Sequence, residues 1–272
     1  TFGSYIDVEA FLEASKTHKH VFEMGAMRVE TKTAPKPFNT ATLLQSASNQ
    51  FGMGAKDIMA CCQTLYQLGH ITYMRTESRN YSPVFIEIAE KYIADTWSKE
   101  HVGCAQSAQE KDPLAHEAIR VTNIHMREFT VVGSNLASAE RIYKMIWQNT
   151  VQSCMANATF NCAPLYMSAP NAHSYKHKIE IIKFAGFLDA KNTGKPKEDF
   201  SKIAASISLQ KGAVLPYNHI ETISGFTAHH SRYTEASLID QLDKLGIGRP
   251  STFSMIADVI QTRKYVEKTD VQ

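Results

Sequence analysis

The chain has 272 residues, 43% of them hydrophobic, enough to bury a sizeable core and to make one large or two to three smaller domains. Its 29 Lys and Arg against 27 Asp and Glu leave a formal charge of +2, so any nucleic-acid contact must come from a local basic surface rather than from net charge. No apolar run approaches the roughly 18 residues of a membrane span, Thr1-Phe-Gly-Ser4 has no leader-like pattern, and the five cysteines contain no CxxC pair, which gives zinc no support and suits a reducing compartment. The missing initiator Met leads us to expect a natural chain that begins further upstream.

In chain order, Val21 to Glu30 alternates like a strand and stops at the prolines of Lys32-Thr-Ala-Pro-Lys-Pro37. Asn39 then caps a predicted helix with Leu43, Ala47 and Phe51 on one face, broken at Gly52-Met-Gly54. A second helix follows with Ile58, Cys61, Cys62 and Leu65 inward, so both cysteines are expected as small buried hydrophobes, and Gly69 stops it. Ile71-Thr-Tyr-Met74 reads as a short strand, which completes a winged-helix-like helix, turn, helix, strand unit. Ser82-Pro83 begins a helix lined by Phe85, Ile88 and Tyr92, and residues 100–112 read as loop. A helix from about Ser138 to Met155 buries Ile142, Met145, Ile146 and Cys154; β-like segments occupy about 157–188, followed by a loop from Lys191 to Lys197. Two closing helices carry Leu238, Leu242 and Leu245, then Phe253, Ile256 and Ile260. His229-His230 lacks a spaced carboxylate or cysteine and reads as loop rather than metal site.

Four blocks bear chemistry: Pro37-Phe-Asn-Thr-Ala-Thr-Leu-Leu44, Gly69-His-Ile-Thr-Tyr-Met-Arg-Thr-Glu-Ser78, Ala115-His-Glu-Ala-Ile-Arg120, and Arg232-Tyr-Thr-Glu-Ala-Ser-Leu-Ile239 with Gly246-Ile-Gly-Arg-Pro-Ser-Thr252. Together, in this order, they resemble the type IA DNA topoisomerases over most of residues 37–266, with Glu77 where that family usually has aspartate and Val121 where it usually has proline. The resemblance implies an α+β, multidomain fold that forms part of a toroidal enzyme. It divides into the first part of a β hinge domain (1–37), a helical gate domain with the winged-helix-like unit (38–156), the second part of the β hinge (157–222), and part of a helical DNA-binding base domain (223–272).

It also implies Tyr73 as the nucleophile that links to the 5′ phosphate of a broken single strand, so that resealing needs no ATP. A phenol is a weak nucleophile until positive charge stabilises the phenolate and the phosphate oxygens. Arg75 is the nearest candidate, placed on the same face as Tyr73 by strand periodicity. If Pro113 begins a helix, His116 and Arg120 share a face at i, i+4. By resemblance His116 helps bind or polarise the phosphate, while Arg120 fixes the loop or a DNA phosphate. Thr76, Glu117, Arg232, Tyr233, Arg249, Ser251 and Thr252 are the further DNA-binding candidates, with a helix start near Ser251 offering N–H groups to a phosphate.

The family holds Mg²⁺ through a glutamate and a DxD motif in a toprim-like domain; no DxD occurs in this sequence. The resemblance therefore implies a piece that is inactive alone, with Mg²⁺ needed by the full enzyme. The partners implied are single-stranded and negatively supercoiled DNA, with no membrane and a monomeric state, in the cytoplasm or nucleoid (nucleus or viral replication site for such a source). The alternative is a non-cleaving single-stranded DNA-binding module of the same fold.

Overall fold

The computed structural model describes residues 2–103, 116–129, 137–191, 211–225 and 232–269. Two compact units divide the chain: one takes residues 1–32, 158–185 and 194–230, the other 33–157, 186–193 and 231–272.

The first unit is built on an antiparallel sheet. Helix α1 (Tyr5–Thr17), capped by Ser4 and not anticipated from sequence, precedes β1 (His20–Met24) and β2 (Arg28–Lys32). Both lie along one edge of the long strand β3 (Ala158–Ser168), while β4 (Ser174–Phe184) lies along the other and β5 (Val214–Leu215) pairs with β1. The single strand expected over Val21–Glu30 is therefore interrupted. Met24 pairs with Leu165 and Arg28 with Cys162, so four steps on one side face three on the other, which is a bulge. Gly25 sits at that break and donates to Pro164 O (2.8 Å), and a Cβ at Gly25 would meet the Pro164 ring at 2.7 Å.

The second unit is helical. Asn39 caps α2 (Thr40–Phe51) through a capping box with Thr42, and Gly52 ends it at φ 66°. Helix α3 (Ala55–Gln67) follows, then α4 (Pro83–Thr96), with Pro at its first position as expected, and α5 (Ala137–Ser153). Helices α6 (Glu235–Lys244) and α7 (Phe253–Thr262) pack on α2 and α3 respectively. The core holds Leu43, Leu44, Ile58, Leu65, Ile142, Tyr143 and Ile146, all fully buried; each large aliphatic of this kind contributes about 1.5–3 kcal/mol.

Three face assignments change. Ile88 is exposed because Ala89 and Ile93 take its place in the α4 interface with Phe85 and Tyr92. Cys62 is buried but Cys61 only half so. In α6 the inward pair is Ala236 and Ile239; Leu238 and Leu242 flank it, and Leu245 lies past the last turn, exposed. The pair His229-His230 and most of the Lys191–Lys197 loop lie outside the described residues. Among the described residues no helix is long and apolar enough to cross a membrane.

Candidate active site

Helix α3 ends as its glycine demands. Gly69, at φ 74°, donates to Tyr66 O and His70 donates to Leu65 O, both at 2.9 Å, closing the helix and releasing the chain that bears Tyr73. That chain does not form the expected strand. Ile71 makes one isolated antiparallel bridge with Val121, and residues 72–80 run without a ladder.

Side chains supply the missing ties. Thr72 donates its hydroxyl to Ala118 O (2.8 Å) and accepts the Arg120 N–H (3.0 Å), while its own N–H donates to Arg120 O (2.9 Å). On the far side of Tyr73, Thr40 of α2 donates its hydroxyl to Met74 O (2.7 Å) and accepts the Thr76 N–H (2.9 Å). Tyr73 thus stands between two clamped neighbours.

From Met74 to Ser78 alternate residues turn inward. Met74, Thr76 and Ser78 are buried, and Arg75 and Glu77 face solvent. Tyr73 is half-buried, with the Tyr66 ring 5.3 Å and the His116 ring 5.1 Å from its own. Arg75 and His116 are exposed, so phenol, guanidinium and imidazole are all accessible. Thr76 is turned inside, its hydroxyl accepting the Ser78 N–H at 3.0 Å, so it braces the backbone rather than facing a ligand.

The helix expected to carry His116, Glu117 and Arg120 is absent among the described residues. Residues 116–121 are extended, with Ile119 bridged to Phe38 and Val121 to Ile71, because these backbone groups pair with the block before α2 and with the Tyr73 segment. Val121, in the place of the family's proline, donates its N–H to Thr150 Oγ1 at 3.4 Å, a bond proline could not make. Arg120 is turned inward. Its Nε donates to Glu117 Oε2 (2.6 Å), another nitrogen donates to Val121 O (3.1 Å), and the guanidinium lies 4.0 Å from the Phe85 ring centroid. Burial alone would raise the Glu117 carboxyl, but hydrogen bonds from Arg120 and Ser82 outweigh it and hold the group below its ordinary value.

The late block is partly joined to this region. Arg249 Nε lies 3.8 Å from Glu77 Oε1, four residues beyond Tyr73, and both side chains are exposed. Thr252 accepts the Arg249 N–H (2.8 Å). Helix α7 starts at Phe253, two residues later than expected, and the N–H groups of Thr252 and Phe253 are spent on Arg249 O, which leaves fewer for an anion. Ser251 is exposed beside them. Arg232 and Tyr233 are exposed at the start of α6, where Thr234 forms its capping box.

Residue type and spacing did not single out Thr40, Thr72 or Tyr66 for this site. Thr40 lies in the first chemistry-bearing block and Thr72 beside the tyrosine, so the blocks marked the neighbourhood; the targets of their hydroxyls are set by tertiary contacts.

Among the described residues one group of potential metal ligands comes together, Glu30, Cys162 and Glu180 on the sheet. Lys178 Nζ lies on both carboxylates, at 2.6 and 3.0 Å. A thiol and an ammonium do not fit Mg²⁺, which takes oxygen ligands, and among the described residues of the helical unit that carries Tyr73 no comparable group forms.

Fold and site together define a portion of a multidomain α+β protein organised around a clamped, accessible tyrosine. The family model described as DNA topoisomerase matches residues 2–272. Similar proteins include DNA topoisomerase 1 of Pseudomonas aeruginosa, 34% identical over 261 residues, and that of Escherichia coli, 34% identical over 236. These alignments cover 94% and 85% of this chain but 29% and 26% of those relatives, so the chain spans under a third of their length. Full-length topoisomerase I from Thermotoga maritima shares the fold at a TM-score of 0.73 and 24% identity, over 99% of this chain and 44% of that one. The chain belongs to the type IA DNA topoisomerase family.

Proposed function

We propose that this chain is the tyrosine-bearing portion of an enzyme that relaxes negatively supercoiled DNA by breaking and resealing one strand. The Tyr73 oxygen attacks the scissile phosphorus, a 5′-phosphotyrosine bond forms, and the 3′ oxygen leaves to become a hydroxyl; after another strand passes, that hydroxyl attacks and restores the phosphodiester. The bond energy is kept in the linkage, so no ATP is required. Arg75 stabilises charge on the phosphate oxygens, and His116, its ring 5.1 Å from that of Tyr73, assists in binding or polarising the phosphate. We assign Glu117 and Arg120, paired to each other against Phe85, to holding the 116–121 segment. Arg232, Tyr233, Arg249 and Ser251, all exposed, bind the single strand. The Mg²⁺ that the resemblance implies for the full enzyme would be held by carboxylates outside this chain and would neutralise charge on the phosphate oxygens.

The observation that carries this reading is an accessible tyrosine whose neighbours on both sides are tied by side-chain hydrogen bonds, with the His116 ring 5.1 Å from its own and Arg75 exposed two residues on. Its test is Tyr73→Phe in the complete parent enzyme, on a single-stranded suicide oligonucleotide that traps the covalent adduct. The adduct should vanish while strand binding survives. An adduct formed by Tyr73→Phe places the nucleophile elsewhere, and wild-type parent that binds the strand without forming an adduct favours the non-cleaving binding module.

A further inference from the structure

We propose that Thr40 is a positioning residue for the Tyr73 nucleophile, acting through the backbone on either side of Arg75. The proposal rests on the strand-cleavage reading above. Thr40 is 0% exposed, and its one hydroxyl is fully engaged. It donates to Met74 O at 2.7 Å, with Thr76 O a second acceptor at 3.1 Å, and it accepts the Thr76 N–H at 2.9 Å. The Thr40 N–H also donates to Thr76 O at 3.0 Å.

The tie matters because residues 72–80 form no strand. Their backbone bonds are scattered, from Thr72 N–H to Arg120 O, from Thr40 N–H to Thr76 O and from Ala118 N–H to Asn80 O, so side-chain bonds such as that of Thr40 supply the rest of the restraint next to Tyr73. The anchor at the other end is rigid: Thr40 opens α2, whose start is closed by the Asn39–Thr42 capping box and whose Leu43 and Leu44 are fully buried. Thr40 therefore transfers the fixed position of a core helix to Met74 and Thr76, the residues that follow Tyr73 and enclose Arg75. Thr72 does the same on the other side through Ala118 and Arg120. With the backbone held at both ends, the phenol oxygen keeps a narrow range of positions. In-line attack is sensitive to that range, since displacement by about 1 Å can cost about a hundredfold in rate. Strand affinity, spread over several exposed contacts, does not depend on it.

The experiment uses the complete parent enzyme with Thr40→Val, which keeps the shape and removes the hydroxyl, and Thr40→Ser, which restores it. Single-turnover adduct formation and oligonucleotide affinity are measured for each, with tryptophan fluorescence as the folding check. Thr40→Val should cleave about 10- to 100-fold more slowly with affinity within about twofold of wild type, and Thr40→Ser should recover most of the rate. If Thr40→Val does not fold, Thr40→Cys, with a thiol that donates weakly, should show the same split. A wild-type rate for the hydroxyl-less variant, a loss of affinity matching the loss of rate, or a serine variant as slow as valine overturns the proposal. The Tyr73→Phe control separates the two levels. If it forms no adduct while Thr40→Val cleaves normally, only the positioning role fails; if it does form one, the cleavage reading itself fails.

Discussion

Replacing Arg120 by Ala tests whether the segment carrying His116 is held by a charge cluster. Arg120 donates to Glu117 at 2.6 Å and to Val121 O at 3.1 Å and lies over the Phe85 ring. Its side chain is 14% exposed and that of Glu117 30%, so the pair is shielded without being sealed. Removing one partner of a fully buried pair costs about 3–5 kcal/mol. Water reaching Glu117 reduces this to about 2 kcal/mol, and the lost ring contact adds about 0.5–1 kcal/mol. Arg120→Ala should therefore destabilise the helical unit by about 2–3 kcal/mol. Urea denaturation followed by tryptophan fluorescence reads this unit alone, because Trp97 and Trp147 both belong to it.

The pH dependence has a definite sign. The folded Glu117 carboxyl lies below its ordinary 4.5, so its stabilisation is complete above that value and is lost as pH falls through the lowered one. The gap between wild type and Arg120→Ala should be widest at neutral pH and should narrow on acidification below 4.5. A neutral-pH gap under about 0.5 kcal/mol, or one that does not narrow, refutes the reasoning.

Glu235 of α6 accepts the Ala55 N–H at 2.9 Å, supplying the cap that Gly54 cannot; Glu235→Ala should cost about 1–2 kcal/mol and speed amide exchange at Ala55, whereas Glu235→Gln, which keeps an acceptor oxygen, should cost less. Equal losses would show that the hydrogen bond is not what matters. The Arg249–Glu77 pair is exposed and long, so Arg249→Ala should leave thermal stability nearly unchanged and, in the parent enzyme, weaken single-strand binding more than it slows cleavage. Slowed cleavage at unchanged affinity would reassign Arg249 to the chemistry. Burial pushes the Cys154 thiol up to about 12 and the Cys62 thiol higher still, so alkylation of the folded protein, followed by peptide mass spectrometry, should modify half-buried Cys61 before either. Cys62 reacting as fast as Cys61 would contradict the packing of α3.

Much of the fold was legible in local chemistry. Asn39, Pro83 and Gly69 mark helix ends because caps and left-handed turns depend on single residue types, and α5 keeps the inward face that its spacing predicts. The four ordered blocks also contain the residues that the structure gathers around Tyr73, including Thr40, Thr72 and His116. What tertiary structure alone decided is how those blocks meet. The segment after Gly69 reads as a strand from its alternation, yet its hydrogen bonds go to Thr40 and to residues 118–120, partners too far along the chain for any local pattern to reveal. Arg120 reads either as an anchor for its loop or as a phosphate contact, and only the closing of Glu117 and Phe85 on it favours the first. Ile88 and Leu245 read as core because periodicity gives a helix an apolar face but does not say how wide the surface is that covers it. Local preference depends on a few neighbouring residues; burial and side-chain pairing depend on what the rest of the chain brings to the same place.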